Sequence, residues 1–325
     1  MTNAQIPLSV PSQRRREYKD NYHLLTKGRG RLLLIAGDQK VEHLNDDFFG
    51  PGISPEDANP EHLFKIAAES DGGVLATQLG LISRYGRQYR KLPYIVKINA
   101  QTNAGEKDKD NGALWWTVDD IVKFKKQSGL RIVGIGYTVY LGGKREPEIL
   151  ATAAKAVYEA HQAGLTAVIW MYPRGKNIKE ENIHTIAGGA GVAAALDADF
   201  VKIKYPYGTK DKKTTAKKFI EAITAAGRTK VVCVGGGRAS AKEFLEEVAN
   251  QVKISGSSGL AIGRNLHQRP LTEAVRLTKA LSAIIFHNSD IKEALKIYNK
   301  EKENKKIKSL IKKGKKSGTK FLGLF

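Results

Sequence analysis

In the stretch FVKIKYP (200–206) two lysines, Lys202 and Lys204, stand two residues apart among apolar neighbours. In an extended chain residues i and i+2 point to the same face, so the two ammonium groups share one side. Burying a bare ammonium is expensive. A lysine in apolar surroundings beside a second cation meets that cost by shedding its proton, and a neutral amine can attack a carbonyl carbon. That is the requirement of imine (Schiff-base) chemistry. Pairing with inward carboxylates, or extension to a rim, would satisfy the same two lysines, and the segment alone leaves both readings open. In TAVIWMY (166–172) the same alternation puts Trp170 and Tyr172 on one face, opposite Ile169 and Met171. In YIVKIN (94–99) it sets Lys97 and Asn99 against Val96 and Ile98, either to contact a substrate or to close an internal network. RLLLIAGD (31–38) ends in Asp38.

These segments belong to a larger pattern that must position them. Eight short, mostly apolar runs occur at 31–38, 72–77, 94–99, 132–137, 166–172, 200–206, 231–236 and 259–264. Runs apolar on both faces are the mark of strands buried in a parallel sheet. Between them lie helical patterns, at 60–70 (with Pro60 as cap or first residue), 117–129 (opened by Thr117), 146–164 (closed by Gly164), 214–227 and 240–252. The alternation predicts an α/β fold, a single (β/α)8 TIM barrel over residues 31–295. A doubly wound open sheet is the rival, but it commonly uses fewer strands. Residues 1–30 read as an N-terminal extension and 296–325 as a Lys-rich C-terminal tail. The polar segment 100–116 reads as an active-site or interface loop after the third strand.

In a barrel the chemistry belongs at the C-terminal strand ends, and the loops after the seventh and eighth strands often hold a phosphate. Here those loops are Gly235-Gly236-Gly237-Arg238 and Gly263-Arg264-Asn265. Glycine lets the backbone approach an anion closely, and Arg264 could add a two-pronged clamp. Tight turns use the same residues.

The 325-residue chain is 41% hydrophobic and 27% charged, a globular composition in which no apolar run is long enough to span a membrane. Cys233 is its only cysteine, and the N-terminus lacks the apolar core of a secretory signal, so a soluble cytoplasmic protein is expected. Of the net charge of +21, residues 296–325 carry +9 and residues 1–30 carry +4. The basic ends could bind nucleic acid through phosphate neutralisation or be a solvated tail, while the moderately positive body suits anionic small molecules.

Other signals carry less. Gly189-Ala-Gly191-Val-Ala-Ala194 matches a degenerate dinucleotide fingerprint but precedes a strand, so its small residues read as close helix packing. The seven histidines lack metal-ligand spacing, no cofactor motif is present, and Cys233 reads as a buried small hydrophobe. Asp46-Asp47 reads as a turn or cap.

GDQKVEHLNDDFFGPG (37–52), ATQLGLISRYG (76–86), WMYPRG (170–175) and DFVKIKYP (199–206) together resemble the archaeal/bacterial-type class I fructose-bisphosphate aldolases, in a superfamily with deoxyribose-phosphate aldolase. GGGRA (235–239) and AIGRNLHQR (261–269) resemble its phosphate loops, and the similarity spans about 30–285. The resemblance implies Lys202 as imine lysine, Tyr172 as general acid/base, Asp38 as the strand-1 aspartate and Trp170 as the indole beside the imine. It implies phosphate contacts at Gly235, Gly236, Gly263 and Arg264, with Arg174 near the site, while Gly237, the third glycine of that loop, has no counterpart in the family and joins the candidates with Lys204 on position alone. It further implies a metal- and cofactor-independent cytoplasmic enzyme of glycolysis or gluconeogenesis, often decameric, acting on a phosphorylated sugar. The sequence departs from the family where Asp38 is followed by Gln39-Lys40, since that position often reads D-H-G. A Schiff-base aldolase or transaldolase-like synthase on another phosphorylated sugar is the near alternative, and a basic nucleic-acid-binding protein on a barrel scaffold the distant one.

Overall fold

All eight apolar runs form strands in the computed structural model, which describes residues 5–104, 112–175, 178–206, 211–237 and 239–300. They are β1 (Leu32–Ala36), β2 (Val74–Gln78), β3 (Pro93–Lys97), β4 (Arg131–Leu141), β5 (Thr166–Pro173), β6 (Phe200–Ile203), β7 (Lys230–Val234) and β8 (Gly259–Ile262). Each pairs in parallel with its sequence neighbours, and β1 pairs with both β2 and β8. The sheet is therefore closed and has no free edge, which excludes the open doubly wound alternative.

Between the strands run helices wherever the apolar spacing is helical, including Glu61–Glu69, Val118–Ser128, Glu146–Gln162, Ile183–Ala195, Ala241–Lys253 and Leu271–His287. Local chemistry sets their ends. Thr117 and Asp120 form a reciprocal capping box, and Gly129 closes that helix at φ +64°. Ser240 caps the helix that follows β7. Gly189 packs its Cα against β5, where a Cβ would lie 2.9 Å from Met171 Cγ, so the small-residue run serves close packing.

Three boundaries differ from those read in the sequence. β4 runs to Leu141, because its Thr138, Tyr140 and neighbours continue to pair with β5. β6 stops at Ile203, leaving Lys204 outside the strand. After β3, Asn99–Ala100 turns into a short antiparallel ribbon with Ala113–Leu114, while residues 105–111 of that segment lie outside the described residues. So does 301–325, which holds most of the basic tail.

The N-terminal residues contribute to the barrel. Helix α1 (Arg15–Thr26) sends Leu25 and Tyr22 into the cluster of inward side chains formed by Leu32, Val168, Phe200 and Val232. Tyr22 stacks on Phe200, the first residue of β6, at 5.9 Å, so α1 plugs the N-terminal end. A buried polar network ties it down. The Tyr18 hydroxyl donates to Asp199, which also accepts from the backbone N–H of Ala167 at 2.7 Å. His161, fully buried, lies 3.1 Å from Asp199 through Nε2 and 2.8 Å from Ser9 Oγ through Nδ1.

Burial alone would lower the pKa of His161, but hydrogen bonds and charges from Asp199 and Asp197 outweigh it and raise the pKa. A histidine with a raised folded pKa contributes stability that is complete below its unfolded value and lost as pH rises through the folded one. His161→Gln should therefore cost about 3–5 kcal/mol in mildly acidic solution. The gap to the parent should narrow as pH rises, which paired urea titrations at several pH values will read.

Candidate active site

The C-terminal ends of β1, β5, β6 and β7 surround a cavity of about 340 Å³. Its lining includes Asp38, Glu42, Tyr172, Arg174, Lys202, Lys204, Gly236, Gly237 and Arg264. Strand alternation directs Lys202 inward, where it is 3% exposed, and its Cα pairs across the sheet with Trp170. The Lys202 Nζ stands 5.0 Å from the centre of the fully buried indole. The indole has room because β4 carries Gly136 beside it, where a Cβ would fall 2.4 Å from Trp170 Cζ3. Tyr172 lies one pleat above Trp170 and stacks on Tyr140 at 6.0 Å between ring centres.

Three lysines come near this cavity, and their surroundings differ. Lys97 is fully buried, donates to Thr138 Oγ1 at 2.5 Å, Asn99 O at 3.1 Å and Asn99 Oδ1 at 3.3 Å, and approaches Glu42 Oε1 at 3.7 Å. Burial lowers its pKa even against those partners. Lys204 sits at the rim, bridged to Glu180 at 3.4 Å and Glu181 at 3.2 Å. Lys202 has no hydrogen-bond or ion-pair partner among the described residues, so its amine is free to react. The like charge expected from Lys204 comes instead from Lys97, whose Nζ lies 5.3 Å from the same indole. The reason is the early end of β6, which carries Lys204 out of the interior and among carboxylates.

Asp38 occupies the N-cap of the short helix Gln39–Glu42, yet its side chain caps nothing. It is 1% exposed and neither carboxylate oxygen has a hydrogen-bond partner. Gln78 Nε2 holds the Asp38 backbone carbonyl at 3.2 Å, leaving the carboxylate directed at the cavity. Glu42, one helical turn on, is part-buried and turns its Oε1 toward Lys97 Nζ at 3.7 Å. Burial and the adjacent Asp38 charge raise the Glu42 pKa. Burial, then Glu42 and Asp38, raise that of Tyr172, which stays a phenol. Unsatisfied buried acceptors beside a free amine suit a ligand rich in hydroxyl groups.

The glycine loops divide. Gly236, at φ +62°, and Gly237 line the cavity with Arg264, whose only described carboxylate neighbour is Asp47 at 3.9 Å. Gly235 and Gly263 lie behind them, Gly235 N–H donating to Ala261 O at 2.9 Å and Gly263 facing the Gln39 side chain. Asn265 stitches the two loops, donating to Gly235 O at 2.6 Å and accepting from Ala239 N–H at 2.8 Å. Arg238 lies outside the described residues. Arg174 spreads over the Tyr172 ring at 4.6 Å and pairs with Glu180 at 3.4 Å. Trp170 lies beneath the cavity as part of the interior cluster. Reasoning from the sequence missed Glu42, His43, Glu180 and the role of Asn265. Glu42 alone had a usable signal, its i+4 spacing from Asp38.

Comparison with known proteins accounts for this arrangement. A 50% identical relative from Methanocaldococcus jannaschii, covering 91% of this chain and 94% of its own length, is named fructose-bisphosphate aldolase/6-deoxy-5-ketofructose 1-phosphate synthase. The solved fructose-bisphosphate aldolase from Slackia heliotrinireducens superposes with a TM-score of 0.88 at 47% identity, over 92% of this chain and 95% of that one. An archaeal fructose-1,6-bisphosphate aldolase, solved with its catalytic Lys covalently bound to the carbinolamine intermediate of the substrate, superposes with a TM-score of 0.69 at 27% identity, over 83% of this chain and 99% of that one. Residues 32–269, which hold all eight strands and the cavity between them, match the DeoC/LacD family aldolase description, and the chain belongs to that family of Schiff-base lyases.

Proposed function

We propose that this chain is a class I fructose-bisphosphate aldolase that uses Lys202 as the imine-forming amine. The observation that carries the reading is the contrast among the three lysines, since only Lys202 combines burial in the cavity wall with a nitrogen that nothing holds. The Lys202 amine adds to the C2 ketone of fructose 1,6-bisphosphate, and loss of water from the carbinolamine leaves an iminium. The iminium draws electrons from the C3–C4 bond as the C4 hydroxyl loses its proton, releasing glyceraldehyde 3-phosphate. Protonation of the enamine at C3 and addition of water then free dihydroxyacetone phosphate. Tyr172 donates within these proton transfers, Asp38 accepts from substrate hydroxyl groups, and Gly236, Gly237 and Arg264 receive a phosphate. A cytoplasmic homo-oligomer is part of the same proposal.

A second acceptor is favoured by the name of the M. jannaschii relative. The first three carbons of 6-deoxy-5-ketofructose 1-phosphate are those of the same enamine, and the other three are those of an unphosphorylated 2-oxoaldehyde ending in a methyl group. Both reactions run through Lys202 and differ only in what meets C3.

Borohydride reduction of the full chain with dihydroxyacetone phosphate tests the reading. Mass spectrometry should find the reduced adduct on the peptide containing Lys202. Among the described residues no three His, Cys, Asp or Glu side chains gather as a metal site, so cleavage should also survive exhaustive chelation. Loss of activity with EDTA and its return with zinc would overturn the proposal.

A further inference from the structure

A second cavity, of about 880 Å³, opens at the opposite end of the barrel from the imine site. Its lining comes from the segments that lead into four adjacent strands, 29–31 before β1, 197–199 before β6, 228–230 at the start of β7 and 256–258 before β8. Helix α1 and residues 5–9 lie across them. We propose that this cavity binds the triphosphate group of a small ligand, either a nucleoside triphosphate or inorganic polyphosphate. Four cationic residues line it, Arg29, Arg31, Arg228 and Lys230, against two acidic ones, Asp197 and Asp199. Both carboxylates are engaged in the network that ties down α1. Asp197 accepts from Ser9 Oγ at 2.5 Å, and Asp199 accepts from Tyr18 and from the backbone N–H of Ala167. Their ion-pair neighbour is His161, and none of the four cations has a carboxylate within ion-pair reach among the described residues.

Arg31 is the fixed member of this group. Half-buried, it is held by neutral oxygens, Ile285 O at 2.8 Å and Asn288 Oδ1 at 2.7 Å, which orient the guanidinium and leave its charge uncompensated. Cations gathered in one concave site raise the potential there, and an anion that enters relieves their mutual repulsion. A triphosphate ester carries about four negative charges near neutral pH, which matches the four cations, and guanidinium groups grip phosphate oxygens in pairs. The half-buried Tyr22 hydroxyl, which no described group holds, lies in the same lining as a further donor. Ile6, Pro7 and the exposed Leu8 supply an apolar wall on which a nucleoside base can lie.

The test uses the full chain in about 0.15 M salt, where non-specific attraction to a basic surface is screened. Titration calorimetry with ATP should give one site per chain with a Kd below about 1 mM, unaffected by saturating dihydroxyacetone phosphate. Tripolyphosphate is the second probe. Tighter binding of ATP assigns the site to nucleotides, and equal or tighter binding of tripolyphosphate assigns it to inorganic polyphosphate. The variant R29Q/R228Q/K230Q should weaken binding at least about ten-fold and leave kcat for cleavage at the parent value. K123Q/K126Q/K155Q removes the same charge from exposed positions on other helices and should bind as the parent does. No binding of either probe, displacement by dihydroxyacetone phosphate, or equal weakening in the two triple variants would overturn the proposal. If the first triple variant does not fold, R228Q and K230Q decide singly, because unchanged affinity in both overturns it equally.

Discussion

Lys202→Met should abolish both turnover and the borohydride-trapped adduct, while Lys204→Met should keep a trappable imine. The difference follows from where β6 ends. Lys202 is the third residue of that strand and faces inward beside Trp170, and Lys204 lies beyond it, bridged to Glu180 and Glu181 and 29% exposed along its side chain. Methionine matches the length of the lysine stem without a nucleophilic nitrogen, so Lys202→Met removes the chemistry and keeps most of the packing. No other amine should replace it, because the Lys97 protons are committed to Asn99 and Thr138. At the rim, Lys204→Met breaks two partly exposed ion pairs of small worth, about 0–1 kcal/mol each, and should change KM more than kcat. Peptide mapping of the trapped adduct decides the matter. A label on Lys204 or Lys97 would show that the register argument and the family carry-over are both wrong.

The second large effect is expected at Lys97. Its replacement by Met strands the Asn99 and Thr138 acceptors and removes the cation beside Glu42, all in a region with no access to water. Breaking a buried pair from one side costs about 3–5 kcal/mol. Urea titration should show that loss, and steady-state kinetics should show kcat reduced by at least about ten-fold, since each 1.4 kcal/mol lost in the transition state is tenfold in rate. Lys97 works through its neighbours as a positioning residue, so a second readout is needed. Losing the amine that ties Asn99 and Thr138 beside the shared indole should also slow adduct formation, at every pH. A variant that is destabilised but traps at the parent rate across the pH range would reduce Lys97 to a structural strut.

The aldolase barrel was legible in the sequence because its signals are local. Each strand is apolar on both faces, so eight runs could be counted without knowing their partners. Strand alternation has a period of two, so Lys202, Trp170 and Tyr172 could be put on inward faces from spacing alone. Caps such as Thr117 and Ser240 act within four residues of the helix they open.

What depended on distant parts of the chain could not be read in this way. The end of β6 at Ile203 is set by pairing with β5 and β7, and it decides that Lys204 meets carboxylates while Lys97, over a hundred residues earlier, stands with Lys202 over the Trp170 indole. Asn265 joins loops thirty residues apart, and α1 closes the far end of the barrel through Tyr22 and Leu25, with Tyr18 bonded to Asp199. Glu42 had the right spacing from Asp38, but only closure of the barrel shows that it meets Lys97 at 3.7 Å and lines one cavity with Asp38 and Lys202. The sequence by itself determined the elements and the faces of their side chains. The tertiary structure decided the charge neighbourhood, because electrostatic energies depend on through-space distance and on exclusion of water, and a barrel brings both about only when its first and last strands meet.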